Sequence, residues 1–111
     1  MISGAHVMIY SKDDAADRAF LRDMLEVPNI DSGGGWLIFK LPPAELGVHE
    51  AEQNSHEIYF MVDDVDAFVA KMTERGVATD RVHEQSWGRS TGVDMPGGWK
   101  LGLYQPRHAR P

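Results

Sequence analysis

The chain contains no cysteine. That absence removes disulfides, thiolate metal centres and cysteine nucleophiles together, and it is compatible with a reducing compartment. Long apolar runs are also missing: no stretch approaches the roughly 18 residues that a membrane-spanning helix needs. Positive charge is scarce. Eleven Lys and Arg against 17 Asp and Glu leave a net charge of −6 and a pI near 5.2, which argues against a broad nucleic-acid footprint. The first residues, Met1-Ile-Ser-Gly-Ala5, lack the basic region and the apolar stretch of a signal peptide. The expectation is a soluble, cytoplasmic protein with neither nucleic acid nor membrane as a partner. Two further chemistries find no support. Ser32-Gly-Gly-Gly35 is followed by neither Lys-Ser/Thr nor a helix, so it reads as a turn rather than a phosphate loop. No serine stands in a nucleophile elbow.

What is present is a repeat. His6-Val-Met-Ile-Tyr10 is followed after two residues by Asp13-Asp14 and a helical run. Fifty residues later, His56-Glu-Ile-Tyr-Phe60 is followed after two residues by Asp63-Asp64 and a second helical run. With 42% hydrophobic and 25% charged residues over 111 positions, the composition is that of one ordinary globular domain. The repeat divides it into a first module of about 4–50, a second of about 55–106 and a tail, 107–111. Neither half is large enough to bury much alone, so the halves should share a core or pair across a dimer.

Residues 4–11 read as a strand, with Ala5, Val7 and Ile9 on one face and His6, Met8 and Tyr10 on the other. Asp13 or Asp14 caps a helix to about Leu25, whose buried stripe is Ala15, Ala19, Phe20, Met24 and Leu25. Pro28 to Asp31 is extended, Trp36 to Phe39 is strand-like, and Pro42-Pro43 breaks it. Glu45 to His49 forms a fourth strand, and 50–55 a polar linker. In the second half, 56–62 is a strand. Asp63 or Asp64 caps a helix with the stripe Val65, Phe68, Val69 and Met72, ended by Arg75-Gly76. Residues 80–87 and 89–95 are strands around a Gly88 turn, and Pro96-Gly97-Gly98 is a second turn. Trp99 to Gln105 is the last strand, and the residues from Pro106 on are a frayed tail. Each half is thus β-α-β-β-β, and the fold class is α+β.

One sheet face is apolar enough to be covered by the helices. The other carries His6, Met8, Tyr10, Glu45, Gly47, His49, His56, Ile58, Phe60, Lys100, Gly102 and Tyr104. It is too polar for a core and too aromatic for ordinary surface, and so it reads as a cavity lining. Tyr10, Phe60 and Tyr104 either fill core or stack on a flat ligand. Lys100 snorkels to solvent or pairs with an acidic ligand. Glu45 is an exposed strand residue or a pocket base.

In the paired β-α-β-β-β layout, the leading histidines, the capped helices and the ending Pro96-Gly-Gly-Trp-Lys-Leu-Gly-Leu-Tyr-Gln-Pro106, the chain resembles the vicinal oxygen chelate superfamily. That superfamily includes glyoxalase I, bleomycin-resistance proteins and extradiol dioxygenases. The resemblance covers residues 4–106. It implies a curved mixed sheet of two tandem modules around a cavity, and a homodimer. It also implies metal ligands on the first and last strands of each module, where His6 and His56 match the first-strand positions. The last-strand positions, usually carboxylates in the family, align with Gly47 and Gly102, each set between an apolar pair.

Two readings follow. In the first, the protein binds a small organic molecule in a cavity whose metal site has degenerated, as bleomycin-resistance-type members do. In the second, it is a divalent-metal-dependent lyase, isomerase or dioxygenase. Iron, zinc, nickel or manganese on His6 and His56 would then polarise vicinal substrate oxygens, and Glu45 would move the proton. Catalytic sites generally use about three protein ligands. The third would have to come from His49 or Glu45, each about 6.7 Å along the strand from Gly47. A dimerisation or regulatory module is a further alternative, since this architecture hosts unrelated activities.

Overall fold

Two aspartates start the two helices. The Asp13 side chain accepts a hydrogen bond from the amide of Ala16 at 3.2 Å, and that of Asp64 from the amide of Ala67 at 3.1 Å. Each carboxylate satisfies an amide that has no partner inside its helix and sits at the positive end of the helix dipole. Helix α1 spans Asp14–Asp23 and α2 spans Val65–Glu74. Gly76, at φ +74°, supplies the left-handed residue that ends α2, and the amide of Val77 returns to the Met72 carbonyl at 2.8 Å.

The protein is described by a computed structural model covering residues 6–45, 47, 50–53 and 56–109. The fold is α+β. Strands β1 (Asn29–Asp31) and β2 (Leu37–Phe39) form an antiparallel hairpin over the Gly33–Gly35 turn. Strands β3 (Tyr59–Met61), β4 (His83–Gln85), β5 (Gly88–Asp94) and β6 (Lys100–Pro106) form a four-stranded sheet in the order β3-β6-β5-β4. Strand β3 runs parallel to β6; the other pairs are antiparallel. The β3-α2-β4-β5-β6 run is the β-α-β-β-β unit expected of the second half.

The core lies between the helices and this sheet. Val65 and Val93 are fully buried, and Phe20, Met72, Met95, Leu101 and Leu103 complete the buried set. Phe20 comes from α1 and packs in one cluster with Met72 of α2 and Leu101 and Leu103 of β6, so the two halves share a core. The last strand also holds the second helix directly: Gln105 Oε1 accepts from the amide of Val65 at 3.0 Å.

Several expectations are corrected. Residues 6–11 do not form a strand, and Val7, Met8 and Tyr10 are exposed, Tyr10 at 83%. Glu45 and Gly47 are likewise outside any strand, while Leu46, Val48 and His49 lie outside the described residues. The first half is therefore seen as α1-β1-β2. A strand needs a neighbour to take up its backbone groups, and among the described residues no strand pairs with 6–11. The expected turn at Gly88 falls one residue earlier, at Ser86-Trp87, and Gly88 opens β5. A β-carbon there would collide with the backbone carbonyl of Gln105, so this glycine serves close strand approach. The tail is tethered as far as His108. Arg107 donates from its amide to the Trp87 carbonyl at 2.8 Å and from its guanidinium to the Gln85 carbonyl at 3.0 Å.

Candidate functional site on the concave sheet face

The strand registers decide what faces away from the helices. Gly92 of β5 pairs with Gly102 of β6, which in turn pairs with Tyr59 of β3. Across a ladder, paired residues point to the same side of the sheet. The Tyr59 ring therefore lies over Gly102: a β-carbon on Gly102 would be 2.5 Å from Tyr59 Cδ1. Over Gly92 lies a charged pair instead. A β-carbon there would be 2.9 Å from Asp80 Oδ2 and 3.0 Å from Lys100 Cδ. The two glycines and Ser90 form a low floor, with an aromatic ring above one end and an ion pair above the other.

A cavity of about 450 Å³ opens on this floor, within the size range of small-molecule sites. Its walls include Tyr59, Trp99, His56, His83, Asp80 and Lys100. Lys100 Nζ bonds Asp80 at 2.8 Å and Asp94 at 2.9 Å, and these bonds hold its pKa above the usual lysine range. Asp80 is itself anchored, its amide donating to the Gly92 carbonyl at 2.9 Å and its carbonyl accepting from Thr91 Oγ1 at 2.7 Å. Burial, reinforced by the negative charge of Glu57, raises the Tyr59 phenol above its ordinary pKa, so the ring is neutral at physiological pH.

The Trp99 wall is positioned from the first half of the chain. Its indole N–H donates to the Tyr10 carbonyl at 2.6 Å. The Pro96-Gly97-Gly98 turn before it is gripped by α1, because Asp17 Oδ1 accepts from the amide of Gly97 at 2.7 Å. Asp17 is only 5% exposed, and its other carboxylate oxygen is buried without a partner. A β-carbon on Gly97 would run into Ser11 Oγ and Asp17, so this turn needs glycine to sit against the helix.

Beyond Gly102 the same face is aromatic. Tyr59, Trp87 and Tyr104 meet edge to face, with ring centroids 5.3 to 6.2 Å apart, the arrangement that ring quadrupoles favour. The Tyr104 hydroxyl and His108 Nε2 are 3.3 Å apart, and Glu45 lies 3.8 Å from the same nitrogen.

Of the residues singled out in the sequence, His56, Ile58, Lys100 and Gly102 line the cavity, and Tyr104 stands on the same face in the aromatic group. Phe60 is turned the other way. It pairs with Leu103 and packs against the core, because the ladder begins at Tyr59 and the alternation counted from His56 does not run through it. His6, Met8 and Tyr10 lie exposed in the non-strand segment, and none of them lines the cavity. Glu45 sits beside His108, Gly47 faces open space, and His49 is outside the described residues. Sequence reasoning did not single out Tyr59, Asp80, Ser90, Gly92 or Trp99 for the site. A glycine two residues after Ser90 in a β-rich run was the available signal.

The donors among the described residues do not assemble a catalytic metal centre. Among the described residues, no three His, Asp or Glu side chains converge. At Gly102, where a last-strand carboxylate would stand, the space is filled by the Tyr59 ring. Among the described residues, no helix is long and apolar enough to cross a membrane.

No protein-family model and no curated protein matches the sequence. Solved structures do match. TnmS3, an antibiotic binding protein from Streptomyces sp. CB03234, superposes with a TM-score of 0.65 at 25% identity, over 96% of this chain and 99% of that one. A lactoylglutathione lyase from Agrobacterium tumefaciens gives 0.65 at 17% identity, over 91% and 93%. The fosfomycin resistance protein FosX from Listeria monocytogenes gives 0.61 at 21% identity, over 96% and 94%. The chain thus has the fold of the glyoxalase and antibiotic-resistance proteins of the vicinal oxygen chelate superfamily.

Proposed function

We propose that the protein binds a small, flat organic molecule on the concave face of its four-stranded sheet and sequesters it without a bound metal. The observation that carries this reading is the cavity of about 450 Å³ on this face, walled by the rings of Tyr59 and Trp99. Gly102 and Gly92 let the Tyr59 ring and the Asp80–Lys100 pair lie close against the sheet, and the rings supply stacking surface for a planar ligand. The charge of Lys100 is matched by Asp80 and Asp94, which favours a neutral or cationic ligand over an anion. The likeness to an antibiotic binding protein supports sequestration of such a compound. The alternative, a metal-dependent lyase or dioxygenase on His6 and His56 with Glu45 as the base, would need the 6–11 segment to fold onto the cavity.

A homodimer belongs to the same proposal. The 6–10 segment carries the strand pattern of 56–60 yet leaves Val7, Met8 and Tyr10 exposed, and a second copy would give it a sheet to join.

Planar neutral and cationic aromatics, followed by tryptophan fluorescence and thermal shift, test the ligand class. A true ligand raises the unfolding midpoint with concentration, and Trp99→Ala should weaken it at least tenfold. No midpoint shift from any compound would count against the reading. Stoichiometric metal in untagged protein, lost in both His6→Ala and His56→Ala, would replace it with the enzyme reading. A monomeric mass by light scattering at micromolar concentration would remove the dimer.

A further inference from the structure

We infer a second ligand site, on the opposite side of the sheet from the concave cavity, that takes a medium-chain carboxylate. It is a groove of about 310 Å³ between the end of α1 and α2, where the two halves of the chain meet. Its floor is apolar: Phe60 and Val62 from β3 and its exit, Phe68 and Met72 from α2, and Leu103 from β6. Apart from Leu103 and Met72, these are only half-buried against the core, so the groove leaves apolar surface open that an alkyl chain would cover.

Charge at the mouth selects the headgroup. Lys40, Lys71 and Arg75 all border the groove. Arg75 is committed elsewhere, donating to the Met24 carbonyl and pairing with Glu26 at 2.7 Å. Lys40 and Lys71 have no ion pair and no side-chain hydrogen bond among the described residues. Arg18, Arg22, Arg75, Arg89, Lys100 and Arg107, by contrast, each hold a carboxylate. Two uncompensated ammonium groups at the mouth of one apolar groove are complementary to an amphipathic anion.

The wall is also built under strain. Glu26 has φ +56°, a left-handed conformation that costs a side chain other than glycine and is found where surrounding contacts impose it, ligand clamps among them. The Arg75 pair holds Glu26 there, and the Lys40 amide donates to the Pro28 carbonyl at 2.8 Å, fixing the Lys40 edge against the same turn. The floor offers almost no polar side chain to a sugar or a dicarboxylate, and the volume lies at the small end of ligand sites. An alkyl chain of moderate length with one carboxylate between Lys40 and Lys71 satisfies both features.

The test is displacement of 1-anilinonaphthalene-8-sulfonate from the whole protein by decanoate and by decanol. Decanoate should compete about tenfold better than decanol, the scale expected of contacts to two solvent-exposed ammonium groups together. Lys40→Glu with Lys71→Glu should remove that advantage and leave decanol unchanged, while the milder Lys40→Gln with Lys71→Gln should reduce it. Both lysines are exposed, so these variants should keep the fold. Equal competition by acid and alcohol would overturn the inference, as would an advantage that survives charge reversal. Loss of decanoate binding in Trp99→Ala but not in the lysine variants would place it on the concave face and overturn it too. A dye signal that disappears as the protein self-associates would show a second copy covering the groove, with the same consequence.

Discussion

The two halves of the chain repeat one pattern and meet different fates. His56-Glu-Ile-Tyr-Phe60 leads into β3, which lies beside β6 and faces a core of buried side chains. His6-Val-Met-Ile-Tyr10 leads into no strand, and its Val7, Met8 and Tyr10 are exposed. The same contrast holds at the glycines aligned in the two halves. Gly102 lies beneath the Tyr59 ring, whereas a β-carbon on Gly47 would meet none of the described residues within 4 Å. Pattern gives a segment the capacity to be a strand. A neighbouring strand that takes up its hydrogen bonds, and a surface that covers one face, make it one.

The comparison can be broken most forcefully in the core. Leu103→Ala or Met72→Ala should lower unfolding free energy by about 2–5 kcal/mol in a denaturant titration, because each leaves a cavity among buried neighbours. Met8→Ala, at the exposed counterpart, should cost under about 0.5 kcal/mol. A comparable loss at Met8 would mean that the first segment is packed in solution, as it would be against a second copy.

Asp17→Ala comes next. It leaves the amide of Gly97 without its acceptor and cuts the clasp between α1 and the turn that carries Trp99. A loss of about 1–3 kcal/mol is expected, with a change in the near-ultraviolet signal of Trp99. An unaltered Trp99 spectrum would show that Tyr10 alone holds the indole.

The glycine pair sharpens the contrast further. Gly102→Ala should cost about 1–3 kcal/mol through displacement of the Tyr59 ring, whereas Gly47→Ala should be near neutral. Equal effects would contradict the difference between the two positions.

The smallest effects are ionic. Tyr59 and Lys100 both have raised pKa values, so their contribution to stability is complete below the unfolded values, near 10 to 10.4. It is lost as pH rises through the folded values. Asp66 and Glu84 are held low chiefly by hydrogen bonds from Arg89. Their contribution is present above about pH 4 and is lost as pH falls through the folded values. These groups are exposed, so salt should shrink the acid limb. Tyr59→Phe should remove a phenolate transition displaced above the ordinary tyrosine range in an absorbance titration.

Much of the second half was legible from its residues. An aspartate cap at 63 or 64, Gly76 as helix end, the Pro96-Gly97-Gly98 turn and the buried alternation of Leu101 and Leu103 all rest on local chemistry. The same local rules put the cap of α1 at Asp13 or Asp14, and the structure uses Asp13 and Asp64. Legibility failed where a distant partner decides the outcome. Phe60 and Tyr59 exchanged faces because the register with β6 sets the pleat, and a strand of three residues gives too short an alternation to reveal it. Nothing in the local pattern marks Asp17 for burial, which comes from its contact with the Gly97 amide of a turn eighty residues away. Lys100 read as a snorkelling side chain, and its partners Asp80 and Asp94 come within reach only through the strand pairing.

By itself, the sequence determined the repeat, the helix starts, the presence of Gly47 and Gly102 and the acidic, cysteine-free character of the protein. These depend on each residue's own geometry and charge. The tertiary structure decided which leading histidine reaches the cavity, which aromatic ring covers Gly102, and that the first half grips the wall of a site built by the second. Those outcomes turn on which backbone groups find partners across the sheet, a long-range competition that periodicity within one segment does not encode.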